Sequence, residues 1–196
     1  MPPAPNRARV LRAATASFLV DGYRSSVERI ARRAGVAKQT VYSHFPSKDE
    51  LFKEVACDLA KRVLVGLEAE PADVRTGLLR FGLAYRRRVL CAEGLAMFRT
   101  LTAEVPRFKA LAKAIYAGGA GEMVRRLSAY LREAMKAGAL RRDDPEFAAE
   151  LFLSMLAGHE RVRRLYGIAN GAEAEAWRTG RIVDCFLRAF GAGDRS

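Results

Sequence analysis

Residues 25–45 read SSVERIARRAGVAKQTVYSHF, and this stretch predicts two short helices joined by a tight turn. Ser25 is placed to cap the first helix, and Glu28 follows three residues later, which is the spacing of a capping box. Four apolar side chains recur at helical spacing and form one narrow face: Val27, Ile30, Ala31 and Ala34. Gly35 comes next, and glycine leaves a helix through the left-handed conformation at the least cost. The pattern indicates a helix-turn-helix.

The second helix is predicted over residues 38–44, with Val41 and Phe45 turned towards the core. Its outward side chains can all donate a hydrogen bond, and none of them is acidic: Lys38, Gln39, Thr40, Tyr42, Ser43 and His44. Such a surface suits phosphate oxygens and base edges. Gln39 is the best base reader on chemistry alone, because its amide can pair bidentately with adenine. We therefore expect this helix to read double-stranded DNA in the major groove.

The match continues past this motif into His44-Phe45-Pro46-Ser47-Lys48-Asp49-Glu50-Leu51-Phe52. From about Arg7 to Val55 the chain closely resembles the amino-terminal DNA-binding domain of TetR-family transcriptional regulators. Three segments carry the resemblance: Phe18…Gly22-Tyr23, Ile30-Ala31…Ala34-Gly35-Val36 and Thr40-Val41-Tyr42-Ser43-His44-Phe45. It implies a three-helix DNA-binding domain over residues 1–53 and a helical effector-binding and dimerisation domain over residues 54–196. Past Val55 the resemblance supports the architecture only.

The resemblance also implies roles at the DNA. It places Lys38, Gln39 and Tyr42 where they face bases or the adjoining backbone. It places a second set where phosphates are contacted: Ser26, Thr40, Tyr42, His44 and Lys48. Tyr42 has an alternative role in covering the small core, and His44 has one in packing at the end of its helix.

The charge distribution favours a polyanionic partner. The formal net charge is +12, and residues 1–53 hold ten basic and four acidic side chains. The amino-terminal quarter is therefore more than twice as basic per residue as the rest, and a basic surface attracts polyanions through counterion release. Arg7, Arg9 and Arg12 stand at the start of the first helix, where they either contact backbone phosphates or form a solvated face.

Helical patterns fill the remainder, without a strand pattern or an internal repeat, so we expect an all-α fold. Ser47 and Glu50 form a second capping box that opens a long helix from Lys48 to about Glu68. Further helices are predicted over about 74–91, 92–104, 108–118, 121–137 and 172–190. Another helix is predicted to begin at Pro145, with Asp144 as its cap. The run Arg86-Arg87-Arg88 is expected to complement the dipole of the helix predicted over about 74–91.

The last two predicted helices carry apolar side chains over wider faces than one core requires. A homodimer that packs these helices against their copies would bury the surplus, and the resemblance implies this arrangement. The candidate interface residues are Phe147, Leu151, Met155, Trp177, Val183, Phe186, Leu187 and Phe190. Two copies would require a near-palindromic operator, with half-site centres about one helical turn or a small multiple apart.

By the same resemblance, the second domain is expected to sense a small molecule. The candidate pocket residues are Phe81, Tyr85, Met97, Phe98, Phe108, Tyr116, Met123, Leu127, Met155 and His159. Such a lining favours an apolar or aromatic effector, although stripes of this kind more often form plain core. Effector binding would change the tilt of the Lys48–Glu68 helix and release the operator. The expected function is therefore that of a ligand-released repressor, although activators occur among similar proteins.

Other sites and locations are not expected. Cys57, Cys91 and Cys185 are isolated and form no CxxC pair, which favours buried free thiols over a metal site or a disulfide framework. The two histidines are too few for a metal site of several imidazoles, and no cofactor motif is present. The sequence holds no run of the ~18 to 20 apolar residues that a membrane span needs. The chain start lacks the apolar core of a signal peptide, so we expect a cytoplasmic protein.

Three alternatives remain open at this point. The first is an architectural protein that binds DNA without sequence preference. The second is an all-helical enzyme or carrier, which is disfavoured because no acid–base constellation can be assembled, so no enzyme is expected. The third is a thiol-based regulator that acts through Cys57 on the predicted connecting helix.

Overall fold

The computed structural model describes residues 6–61, 67, 73–104, 106, 109–168 and 175–192. Within these ranges the regular secondary structure is helical, which confirms the all-α prediction, and one isolated bridge joins Leu140 to Gly191. The helices are α1 (Asn6–Asp21), α2 (Val27–Ala34), α3 (Lys38–His44), α4 (Lys48–Lys61), α5 (Val74–Leu90), α6 (Ala92–Glu104), α7 (Lys109–Gly118), α8 (Ala120–Lys136), α9 (Pro145–Leu165) and α10 (Glu175–Phe190).

The first of two compact units contains the described residues up to Ala60 together with residues 96–119. Phe18 of α1 lies in its core, where its ring meets the Phe52 ring edge-on with centroids 5.0 Å apart. Tyr23 follows in a 3₁₀ turn and packs edge-on against the same Phe52 ring at 5.1 Å. Val41 and Phe45 are buried, which confirms that α3 turns these two side chains inward.

The turn between α2 and α3 contains the predicted glycine, but the residue that caps the start of α2 is not the predicted one. Gly35 adopts the left-handed conformation at φ 65° and ψ 41°. Ser26 caps α2, because its hydroxyl accepts a hydrogen bond from the backbone N–H of Arg29 at 3.2 Å. The prediction that Ser25 forms this cap is wrong. Ser25 is buried, and its hydroxyl has no hydrogen-bond partner among the described residues.

The second compact unit contains the described residues between 61 and 95 and between 120 and 192. Its core lies among α5, α8, α9 and α10 and includes Phe152 and Phe186, whose ring centroids lie 4.8 Å apart. Asp73 caps α5 by accepting from the backbone N–H of Thr76. Asp144 caps α9, with proline at the first position of the helix, as the sequence predicts.

Arg86 of α5 is buried, whereas its place in the arginine run predicts only that it complements the helix dipole. Its guanidinium donates to Glu160 at 2.7 Å, to Glu175 at 2.8 Å and to the Leu156 carbonyl at 2.6 Å. Arg164 donates to both carboxylates as well. Burial raises the pKa of the Glu160 carboxyl, but hydrogen bonds from Arg86 and Arg164 outweigh it and hold that pKa below its ordinary value. The network joins α5, α9 and α10.

Some predicted features lie outside the described residues. These are the end of the α4 helix at Glu68, the side chain of Phe108 and the part of the last helix before Glu175. The predicted domain boundary at residue 53 lies within α4 and stays a prediction.

Candidate nucleic-acid interface

Helix α3 spans Lys38–His44, as the sequence predicts, and presents a row of polar side chains to solvent. The exposed residues of this row are Lys38, Gln39, Tyr42, Ser43 and His44, whereas Thr40 is half-buried. Because Val41 and Phe45 are buried, the rotation of α3 about its axis is fixed by the core. The polar side chains of α3 that are proposed to contact DNA therefore face away from the rest of the first unit.

An acidic residue lies beside this row, which the sequence analysis did not anticipate. The carboxylate of Glu28, in the first turn of α2, forms an ion pair with Lys38, and both side chains are about half exposed. Hydrogen bonds from Lys38, from the backbone N–H of Glu28 and from the Ser26 hydroxyl lower the pKa of the Glu28 carboxyl to about 2. The same pairing raises the pKa of Lys38. Lys38 is thus held by α2 when DNA is absent.

The remaining hydrogen-bond donors of α3 differ in the contacts that they already make within the protein. The Ser43 hydroxyl donates to the Thr40 carbonyl at 2.9 Å, so it must rotate before it can donate to a phosphate. The His44 ring is exposed and lies near the Phe45 ring, with centroids 6.5 Å apart. The Tyr42 ring has the Lys38 ammonium 5.8 Å from its centroid. Exposure of Tyr42 and His44 argues against their alternative roles as packing residues.

The start of α4 is tied to the 3₁₀ turn. The Ser47 hydroxyl accepts from the backbone N–H of Glu50 at 3.1 Å, which confirms Ser47 as the cap of α4. The Tyr23 hydroxyl donates to the Asp49 carboxylate, and the Lys48 ammonium lies 4.3 Å from the centroid of the Tyr23 ring. These contacts position Lys48, the candidate phosphate contact, on a rigid support.

A cleft lined by arginine side chains lies between α1 and the end of α2, beside the turn that leads to α3. Its volume is about 500 Å³, and its lining consists of Arg9, Arg12, Ala13, Arg32, Arg33, Ala34 and Gly35. We call this surface the arginine cleft. Arg9 donates to the Gly35 carbonyl at 3.0 Å and is thereby fixed to the turn. Arg7 is not part of the cleft, because it forms an ion pair with Glu54 at 2.7 Å. Arg9 and Arg12 were candidate phosphate contacts from the sequence, whereas Arg32 and Arg33 in the last turn of α2 were not predicted.

The candidate effector residues are divided between the two compact units. Four of them lie together in the core of the second unit, with Met155 packed against it: Phe81, Tyr85, Met123 and Leu127. His159 is exposed. Met97 is buried in the core of the first unit, where Phe98 is half-buried and Tyr116 is exposed. The sequence analysis did not mark Tyr130, which lies in the second core with a hydroxyl that has no hydrogen-bond partner among the described residues.

The candidate dimer residues include three that need correction. Val183, Phe186 and Phe190 are buried in the core of the second unit within a single chain, so they have almost no surface to offer a second copy. They appeared suited to an interface because one apolar stripe on a helix cannot indicate which neighbour covers it. Phe147 and Trp177 are exposed, at 55% and 53%. Leu151, Met155 and Leu187 are half-buried.

Three further observations concern sites that the sequence did not favour. No disulfide joins Cys57, Cys91 and Cys185, and all three are half-buried, whereas the sequence analysis expected buried thiols. Across the described ranges, no group of three or more His, Cys, Asp or Glu side chains is placed to hold a metal ion. In the same ranges, no helix combines the length and the apolar character needed to cross a membrane.

Comparisons with known proteins agree with this geometry. Residues 10–55 match the family model of bacterial regulatory proteins of the tetR family. Residues 76–192 match the model of the carboxyl-terminal domain of AefR-like transcriptional repressors. In curated proteins, an uncharacterised HTH-type transcriptional regulator, YhgD of Bacillus subtilis strain 168, is 40% identical over 55 residues. That match spans 28% of this chain and 29% of the relative's length.

Two solved structures are similar over nearly the whole chain. The flavonoid-responsive regulator FrrA is 31% identical with a TM-score of 0.77, and the match covers 97% of this chain and 98% of FrrA. A TetR family transcriptional regulator from Pseudomonas syringae pv. tomato strain DC3000 is 27% identical with a TM-score of 0.69. That match covers 94% of this chain and 96% of the relative.

Proposed function

Because this chain belongs to the TetR family of transcriptional regulators, which are non-enzymatic DNA-binding proteins, we propose that it is a ligand-released repressor. In this proposal a homodimer occupies a near-palindromic operator in the cytoplasm and blocks transcription until an effector binds. The observation that carries the proposal is the row of hydrogen-bond donors along α3, which the buried Val41 and Phe45 hold outward.

In the proposed complex, α3 of each protomer enters the major groove at one half-site. Gln39 is exposed, and its amide suits an adenine edge. The resemblance of residues 10–55 to the family supports base or adjoining-backbone contacts for Lys38 and Tyr42. It also supports phosphate contacts for Ser26, Thr40, Tyr42, His44 and Lys48, with Ser43 beside them. Phosphate contacts fix the register of the protein, whereas base contacts supply its sequence preference.

The proposed homodimer uses the outer faces of α9 and α10. Phe147 and Trp177 expose large apolar surfaces there, and Leu151, Met155 and Leu187 expose part of theirs. A two-fold interface uses the same patch on both subunits, so one such patch is sufficient for a dimer. Two α3 helices related by this axis would need two inverted half-sites.

The proposed effector is a small apolar or aromatic molecule bound by the second unit. The cluster of aromatic and sulfur-containing side chains in its core supports this class, and FrrA, at 31% identity, is a flavonoid-responsive regulator. A 100-fold loss of operator affinity requires about 2.7 kcal/mol of differential binding, which is an ordinary allosteric coupling. We propose that the effector acts by changing the separation of the two α3 helices.

Selection of bound sequences from a random DNA pool by the full-length protein tests the proposal. We expect a two-fold symmetric consensus whose half-site centres lie about one helical turn or a small multiple apart. Binding to the consensus is then measured against excess random duplex. Equal affinity for both would replace the proposal with the architectural alternative, and a consensus without symmetry would remove the homodimer from it.

A further inference from the structure

We propose that the arginine cleft holds DNA backbone phosphates beside the bases that α3 reads. The inference rests on the proposed function and adds to it a contact surface that lies outside α3. Its residues are Arg9 and Arg12 of α1 and Arg32 and Arg33 of α2, which the fold brings together on one cleft of about 500 Å³.

The positive charges in the cleft are not compensated by acidic side chains among the described residues. No described residue forms a hydrogen bond or an ion pair with the guanidinium of Arg12, Arg32 or Arg33. Arg9 donates only to the neutral oxygens of Gly35 and Asn6 among the residues described. Converging like charges repel one another, so the arrangement is unfavourable until an anion enters it.

Other arginines of the same unit differ from those of the cleft because they are paired with acidic side chains. Arg7 is paired with Glu54, and Arg29 is paired with Asp21 at 3.0 Å. These two arginines therefore have acidic partners, which the arginines of the cleft lack among the described residues. The helix dipole accounts for Arg32 and Arg33, which lie in the last turn of α2. It does not account for two further arginines of α1 on the same cleft.

The cleft also lies close to the start of α3 along the chain. Gly35 lines the cleft and precedes Lys38, the first residue of α3, by three residues. Three residues of chain span at most about 11 Å. The major groove is about 12 Å wide and is bordered by phosphates. With α3 in the groove, the cleft is therefore within reach of the phosphates that border the groove, and a planar guanidinium can bind a phosphate through two parallel hydrogen bonds.

The variant R32Q/R33Q tests the inference, because glutamine keeps a polar side chain of similar length and removes the charge. Its control is R87Q/R142Q, which removes two positive charges from exposed arginines of the second unit. Affinity for the selected consensus and for random duplex is measured across a salt series. We expect R32Q/R33Q to flatten the plot of log K against log salt by about 0.9 for each lost phosphate contact, on both duplexes. The control should leave the slope unchanged.

Phosphate ethylation interference locates the contacts. We expect specific ethylated phosphates to block the wild-type protein and no longer to affect R32Q/R33Q, while the base preference of the variant stays that of the wild type. If the salt slope and the interference pattern are unchanged, the inference is overturned. If the wild-type protein shows no base preference, the proposed function fails, and the slope on random duplex still decides the role of the cleft.

Thermal unfolding separates loss of contact from loss of structure. If R32Q/R33Q lowers the unfolding midpoint, R12Q takes its place, because this variant leaves α2 intact. A slope reduced by about 0.9 in R12Q supports the inference, and an unchanged slope overturns it.

Discussion

At the scale of single residues, Lys38 and Gln39 at the start of α3 differ in the contacts that they make before DNA binds. Gln39 is exposed, and its amide has no hydrogen-bond partner among the described residues, so it meets a base without first breaking a contact. Lys38, its neighbour, is held in an ion pair by Glu28. A base contact can therefore form at once, whereas the neighbouring cation must exchange a carboxylate for a phosphate or a base edge.

Replacement of Gln39 by alanine should relax the preference at one base pair in each half-site, because a bidentate amide–adenine pair supplies about 1 to 3 kcal/mol of discrimination. Lys48→Ala should instead weaken binding to all sequences alike and flatten the salt dependence, since a phosphate contact carries no sequence information. Competition binding to single-base operator variants measures both effects. Equal losses on consensus and random duplex for Gln39→Ala would remove Gln39 from its role.

Replacement of Glu28 by glutamine should strengthen binding to consensus and random DNA alike. The change releases Lys38 and removes a negative charge that would face the phosphates, so the salt slope should steepen by up to about 0.9 per protomer. Glu122→Gln is the matched control, because that half-buried carboxyl is also paired with arginines and its pKa is likewise lowered to about 2. A Glu28→Gln variant that binds no better than the control would show that the ion pair does not compete with DNA.

At the scale of the element, the start of α2 is decided by burial and not by capping chemistry alone. Two adjacent serines have the side chain that a cap needs, and a local pattern cannot choose between them. The apolar face that begins at Val27 fixes how α2 meets α1, and this rotation places Ser25 in the core and Ser26 at the helix start. The cap of α4 was predictable, because only Ser47 precedes that helix at the right spacing.

The serine pair offers a matched test of the cap. Ser26→Ala should lower the free energy of unfolding by about 1 kcal/mol, because it leaves the Arg29 N–H without its acceptor. Ser25→Ala should be neutral or stabilising, since it removes a buried hydroxyl that makes no hydrogen bond with the described residues. Chemical denaturation of the two variants measures the difference. The reverse order of stability would restore Ser25 as the cap.

At the scale of the whole molecule, the two units place arginine side chains in different surroundings. In the first unit, four arginines share an open cleft without acidic partners among the described residues, whereas in the second unit Arg86 is buried and paired with acidic side chains. Arg86 is 2% exposed and Glu160 is 4% exposed, and Arg178 adds a third contact to the same carboxylate at 3.1 Å. Buried pairs of this kind add little net stability, but they penalise any packing that separates the partners.

Removal of Arg86 should therefore be more damaging than the mean point mutation. Arg86→Met leaves Glu160 buried without its main partner, which should reduce the free energy of unfolding by about 3 to 5 kcal/mol at neutral pH. The pKa of Glu160 is lowered in the folded state, so its contribution is present above the unfolded pKa and is lost as pH falls through the folded pKa. The difference between wild type and variant should thus stay constant from pH 7 down to about 4.5, the ordinary pKa of a glutamate, and should narrow as pH falls further. Denaturation across that pH range measures it, and a difference that stays constant below pH 4.5 as well would mean that packing and not charge explains the loss.

The sequence by itself determined what is decided within a few turns of chain. The ends of α3, the glycine turn before it, the caps of α4 and α9 and the inward Val41 and Phe45 follow from local spacing and local backbone preference. The exposed donor row of α3 follows from them, because a seven-residue helix that buries Val41 and is followed directly by the buried Phe45 has only one face left for solvent.

Only the tertiary structure decided which distant side chains meet. Glu28 lies against Lys38, Arg9 and Arg12 share a cleft with Arg32 and Arg33, and Arg86 is paired with residues more than 70 positions away. It also assigned Val183, Phe186 and Phe190 to the interior of one chain, where a stripe on a helix had suggested a surface. The physical reason is that periodicity defines a face, whereas the partner of that face depends on how whole helices pack.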